Sequence, residues 1–100
     1  MKAPSKMYVK NKIPSVEDIF RAQKLMDKAA VRKTLLSKSN TFSTIARTNI
    51  FLKFESFQRT GSFKVRGAYA KINSLTDEQY NSGIIAASAG NHAQGVAYAA

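Results

Sequence analysis

The segment Ser62-Phe63-Lys64-Val65-Arg66-Gly67-Ala68 sets a lysine beside an aromatic side chain where a helix is expected to begin. The partial positive charge of a helix N-terminus disfavours ammonium and lowers the lysine pKa, and burial lowers it further. A neutral amine attacks a carbonyl carbon. Helix geometry taken alone puts such a lysine at the surface with its charge solvated. A second segment, Ser88-Ala89-Gly90-Asn91-His92, closes an apolar run and opens another helix. Unpaired N–H groups there, with the helix dipole behind them, can hold a carboxylate or phosphate. Ala89 and Gly90 are small enough for a ligand to approach the backbone. A plain strand-to-helix turn capped by Asn91 accounts for the same residues equally well.

Other chemistries find no support. The chain has no Cys and one His, which excludes disulfides, thiolate metal sites and a cysteine nucleophile, so no metal is expected. His92 has no identifiable acidic partner and reads as a helix residue rather than a general base. Ser88 follows Ala86 and Ala87 and so fails the G-x-S-x-G pattern. Neither a phosphate loop ending in Gly-Lys-Ser/Thr nor G-x-G-x-x-G occurs.

The elements that must position these turns follow from periodicity. Ser15 with Asp18 marks a helix start, and Val16, Ile19, Phe20, Met26 and Ala30 extend an apolar stripe, predicting a helix near 16–30. Ser37–Asn49 is rich in hydroxyl and amide side chains that compete with regular structure, and is expected to be loop. Ile50, Leu52 and Phe54 alternate as in a strand. Val65, Ala68, Tyr69 and Ile72 repeat at helical spacing over about 63–74. Thr76 and Gln79 form a capping box on a short helix that Gly83 ends. Ile84–Ser88 reads as a strand buried on both faces, followed by a helix from Asn91. This order predicts an α/β fold, a parallel sheet with helical crossovers, with ligands beyond the carboxyl ends of its strands. Residues 1–47 are expected to form a helical and irregular segment, and 48–100 the start of the α/β unit. Ala93, Val96, Ala97 and Ala100 keep helical spacing to the last residue with no stop signal. The chain is therefore expected to be the N-terminal piece of a longer protein.

With 100 residues and 44% apolar side chains, the chain suffices for one modest core. It has no run of 18 apolar residues, and its start lacks a secretory apolar stretch, so a soluble, cytoplasmic protein without membrane partners is expected. The net charge of +10 is concentrated in residues 1–40. It is spread singly through Lys2, Lys6, Lys10, Lys12, Lys24, Lys28, Lys33 and Lys38, without interleaved aromatics for base stacking. A solvated surface is expected, not a nucleic-acid partner.

Phe51-Leu52-Lys53-Phe54-Glu55, the run 58–79 (QRTGSFKVRGAYAKINSLTDEQ) and 88–97 (SAGNHAQGVA) together resemble the serine/threonine dehydratase branch of the pyridoxal-phosphate fold-type-II enzymes, the tryptophan synthase β-like group. The resemblance covers about 48–100 closely and the helix at 16–30 more weakly. It implies that Lys64 is the lysine that binds pyridoxal 5'-phosphate and then removes the substrate Cα proton. It further implies that Phe63 packs on the cofactor ring and that Asn91 bonds its 3-hydroxyl. Ser88, Ala89, Gly90, Asn91 and His92 would receive the substrate carboxylate. The implied reaction converts L-threonine to 2-oxobutanoate and ammonia, or L-serine to pyruvate, in a homo-oligomer, commonly a dimer or tetramer. Val65 and His92 follow the dehydratase pattern rather than that of cysteine or cystathionine synthases. Serine racemases are similar too, but typically carry a serine where Ala89 stands, so elimination is expected over racemisation. The resemblance places the phosphate-binding loop and the partner of the pyridine nitrogen beyond Ala100, so residues 1–100 alone are expected to be inactive. A catalytically silent relative and a basic binding module are the remaining alternatives.

Overall fold

Two side-chain hydroxyls begin helices by the same reciprocal device. In the computed structural model, which describes residues 13–26, 28 and 30–100, α1 spans Val16–Lys24. Ser15 Oγ accepts the Asp18 N–H at 3.2 Å, and the Asp18 carboxylate accepts the Ser15 N–H at 3.0 Å. That backbone bond, above all, holds the Asp18 carboxyl below its usual range. Glu17 and Asp18 in the first turn and Arg21 and Lys24 in the last complement the helix dipole.

The helix is shorter than the stripe to Ala30 predicts. Leu25 and Met26 donate to Ala22 and Gln23 in tightened i→i−3 bonds, and the helix stops there. Beyond it, the Gln58 carboxamide binds both the N–H and the carbonyl of Arg32, at 3.0 and 2.8 Å. Ala30 and Val31 are buried outside the helix. Residues 27 and 29 of the predicted helix lie outside the described residues. So do Lys2, Lys6, Lys10 and Lys12.

The polar run 37–49 is not the expected loop. It holds the end of β1, Leu36–Lys38, and α2, Asn40–Ala46. Its hydroxyl groups serve structure instead of competing with it. Ser39 Oγ caps α2 by accepting the Phe42 N–H, the Thr44 hydroxyl donates to the Asn40 carbonyl, and Ser43 Oγ accepts the Ile50 N–H at 2.9 Å. The last bond ties α2 to the start of β2, Phe51–Lys53.

β1 and β2 pair antiparallel, with Leu36 opposite Lys53, Ser37 opposite Leu52 and Lys38 opposite Phe51. The expected parallel sheet is not present among the described residues, where the two-stranded antiparallel pair is the one sheet. Ile84–Ser88, the second predicted strand, pairs with no other segment there. Ile85 is 99% exposed rather than buried on both faces. A strand exists only through a neighbour that takes its N–H and carbonyl groups, and none lies beside this segment.

A 3-10 turn at Glu55–Phe57 follows β2, then α3 at Lys64–Ile72, α4 at Asp77–Asn81 and α5 at Asn91–Ala99. Thr76 and Gln79 form the predicted capping box on α4, and Gly83, at φ +89°, takes the left-handed conformation that stops it. The core lies where α3 meets α5. Val65 is fully buried, Ala68, Ala70 and Ile72 nearly so, and Gly95 is the buried residue of α5. Among the described residues no helix is long and apolar enough to cross a membrane.

Candidate active site

The turn before Lys64 is built by glycine and serine. The Gly61 N–H donates to the Gln58 carbonyl at 2.9 Å, and Gly61 itself sits at φ +69°, where an L side chain is strained. Ser62 is buried, and its Oγ accepts the Lys64 N–H at 3.3 Å, filling one of the vacant donors of the helix start. Phe63 is the residue at which α3 begins, so Lys64 is its first helical residue. The Lys64 amine lies 5.0 Å from the centre of the Phe63 ring. No hydrogen bond or ion pair engages it among the described residues. Both side chains are exposed, Lys64 as helix geometry alone predicts.

The second turn repeats the device. Ser88 Oγ accepts the N–H of Gly90, two residues on, at 3.3 Å. Gly90 stands at the cap position of α5 with no side-chain bond closing the helix end, and Asn91 is the first helical residue rather than the cap. The first N–H groups of α5 are therefore aimed outward from an exposed turn. Ser88, Ala89, Asn91 and His92 are all exposed. His92 also lines a hollow of about 600 Å3 with Gly67, Ile72, Ile84 and Val96. Lys64 does not line that hollow, which is apolar in character and lies between α3, α4 and α5.

The packing of α3 on α5 joins the two turns. A Cβ placed on Gly95 would lie 3.2 Å from the Lys64 carbonyl carbon and 3.3 Å from the Val65 nitrogen, so glycine permits the close approach. Asn91 lies four residues before Gly95 and therefore on the same face of α5, one turn toward its start.

A third cluster, to which sequence reasoning assigned no role, surrounds the Glu55 carboxylate. Arg66 donates to it twice, Nε to Oε2 at 2.7 Å and Nη2 to Oε1 at 2.9 Å. The Thr34 hydroxyl donates at 2.6 Å, and the buried Gln58 amide at 3.2 Å. The Arg66 bonds, more than any other contact, pull the Glu55 pKa down to about 2, while the same contact raises that of Arg66. A carboxylate at a strand end and an arginine in the next helix were visible in the sequence. Their pairing, across 11 residues, was not.

Over residues 28–100 the sequence matches the family described as pyridoxal-phosphate dependent enzyme. The chain belongs to that family. Among relatives, the catabolic L-threonine dehydratase of Staphylococcus aureus (strain USA300) is 58% identical over 89 residues, covering 88% of this chain and 25% of the relative. The corresponding enzyme of Escherichia coli (strain K12) is 47% identical over 91 residues, 90% of this chain and 27% of the relative. L-threonine ammonia-lyase of Thermotoga maritima is 51% identical over 86 residues, 86% of this chain and 21% of the relative. A solved structure of maize serine racemase superposes with a TM-score of 0.62 at 35% identity, covering 79% of this chain and 26% of that one. This member of the pyridoxal-phosphate dependent family thus spans about a quarter of the length of the relatives it matches.

Proposed function

We propose that this chain supplies the lysine-bearing part of a pyridoxal-phosphate dependent ammonia-lyase that converts L-threonine to 2-oxobutanoate and ammonia, and L-serine to pyruvate. The observation that carries the reading is Lys64 itself. Its amine is unengaged among the described residues, stands over an exposed aromatic ring at the start of α3, and occurs in a chain 47 to 58% identical to L-threonine dehydratases.

The chemistry of the two turns fits such a cofactor. Lys64 offers the amine that would hold it, Phe63 an aromatic face to lie against its ring, and Asn91 an amide for its 3-hydroxyl. When bound, the cofactor supplies an electron-withdrawing ring that stabilises negative charge at the substrate Cα. The Lys64 amine would be the base that takes the Cα proton. The turn Ser88-Ala89-Gly90-Asn91-His92, with the first N–H groups of α5 facing outward, would orient the substrate through its carboxylate. Residues 48–100 then begin the catalytic core, residues 1–47 precede it, and turnover belongs to the full-length protein in a homo-oligomer.

Racemisation of serine is the second reading, favoured by the likeness to maize serine racemase. Ala89 argues against it, because a methyl group on that side of the turn neither gives nor takes a proton. Product analysis separates the two. Full-length protein supplied with pyridoxal phosphate and L-serine is expected to release pyruvate in excess of D-serine, and D-serine as the main product would establish the second reading.

A further inference from the structure

The first turn of α3 is held from two sides. On one side Gly95 of α5 rests against the Lys64 backbone. On the other, Arg66 grips Glu55 through two parallel bonds of 2.7 and 2.9 Å. Glu55 is itself fixed by Thr34 and Gln58, and Gln58 is locked to both backbone groups of Arg32. The grip therefore reaches from α3 through the turn after β2 to the segment at 32–34. Arg66 and Lys64 are two residues apart, so they leave the helix in nearly opposite directions. Arg66 points into this network while Lys64 stays exposed. It cannot touch what Lys64 holds, yet it sets the rotation of the turn that carries Lys64.

We propose that Arg66 and Glu55 are positioning residues for the chemistry assigned to Lys64: their forked ion pair fixes the rotation of α3 about its axis, and so the direction in which the Lys64 amine leaves the helix. The inference rests on the reading of Lys64 as the cofactor-bearing lysine. The fork is what matters. Two parallel bonds between planar groups define an orientation, whereas a lysine at the same place would hold the carboxylate through one freely turning point. Stability alone does not call for a forked ion pair, since apolar side chains of similar volume commonly stabilise as well.

The test uses the full-length protein with its cofactor, as wild type, Arg66→Lys and Glu55→Gln. Borohydride reduction in the presence of pyridoxal phosphate, followed by peptide mass mapping, reads the fraction of cofactor fixed at Lys64 and its pH profile independently of turnover. Folding is followed by circular dichroism, and kcat and KM for L-threonine are measured alongside. Arg66→Lys keeps the charge and is expected to fold. Its fixation at Lys64 should fall on the order of tenfold with a displaced pH profile, and kcat should fall by a similar factor with KM changed about twofold or less, as a small misplacement of a reacting group predicts. A folded Arg66→Lys with wild-type fixation, pH profile and kcat would overturn the positioning role and leave the reading of Lys64 intact. If Glu55→Gln does not fold, Arg66→Lys decides, and Thr34→Val, which removes one bond to Glu55 and spares the fork, serves as the milder companion and should lose less. Wild-type protein marked at lysines other than Lys64 would overturn the reading of Lys64 and the positioning role together, a result recognisable before any variant is made.

Discussion

Gly95 of α5 and Lys64 of α3 meet backbone to backbone, so closely that a methyl group on Gly95 would stand 3.2 Å from the Lys64 carbonyl carbon. The neighbour is helical backbone packed beside fully buried Val65, which has little room to give. Alanine favours a helix over glycine by about 1 kcal/mol, but forced overpacking costs about 1–3 kcal/mol. Gly95→Ala is therefore expected to destabilise by up to about 2 kcal/mol, and Gly95→Val by more, in urea unfolding of the full-length protein. Equal or greater stability for Gly95→Ala would mean that the two helices separate at little cost.

The Glu55 network makes stability depend on acid. Glu55 titrates near 2 when folded against 4.5 ordinarily, so the folded state binds its proton less readily. Its contribution is complete above about pH 4.5 and is lost as pH falls toward 2. The groups facing it are Arg66, Thr34 and Gln58, of which only Arg66 carries charge, and Arg66 stays charged throughout. Allowing for solvent screening of the half-exposed arginine, the loss should be about 1–2 kcal/mol. Unfolding measured at pH 7, 4 and 2.5 should show Glu55→Gln less stable than wild type at pH 7, with most of the gap closed at pH 2.5. A constant gap at all three values would contradict the assignment.

Local signals were legible in the sequence, and distant ones were not. Ser15 with Asp18 and Thr76 with Gln79 are three residues apart, and both boxes form as their spacing predicts. The strand at Phe51–Lys53 and the helix carrying Lys64 likewise follow from alternation and from helical repeat. The polar run 37–49 hid a strand and a helix because Ser39, Ser43 and Thr44 bond to backbone in ways that residue type alone does not reveal. The antiparallel partner of β2 could not be read, since pairing of Ser37 with Leu52 is a matter of register between separate segments. Nor could the contact of Gln58 with Arg32, 26 residues away, which ties the segment after α1 to the turn after β2. A glycine at position 95 inside an otherwise helical run was the one available sign of the close helix contact.

Asn91 opens α5 but caps nothing, and its side chain is exposed. Asn91→Ala should therefore leave stability within about 0.5 kcal/mol. If the amide bonds the cofactor, retention of pyridoxal phosphate in equilibrium dialysis should weaken about tenfold, the equivalent of one hydrogen bond to a charged group. Undiminished retention would remove Asn91 from the site.

Ala89 precedes the cap residue Gly90 and presents only a methyl group. Ala89→Ser adds a hydroxyl that can exchange a proton. In the full-length protein supplied with L-serine, chiral chromatography should show D-serine formation raised on the order of tenfold, short of the hundredfold or more that a fully positioned acid or base contributes. No rise in a folded, cofactor-loaded variant would show that this position does not reach the substrate.

The most direct test of the central claim is 2-oxobutanoate release from L-threonine by the full-length protein supplied with pyridoxal phosphate, measured for wild type and Lys64→Ala. Release by the wild type that vanishes in a folded Lys64→Ala is the predicted result. Release that persists in Lys64→Ala, or none from folded, cofactor-loaded wild type, would contradict the account.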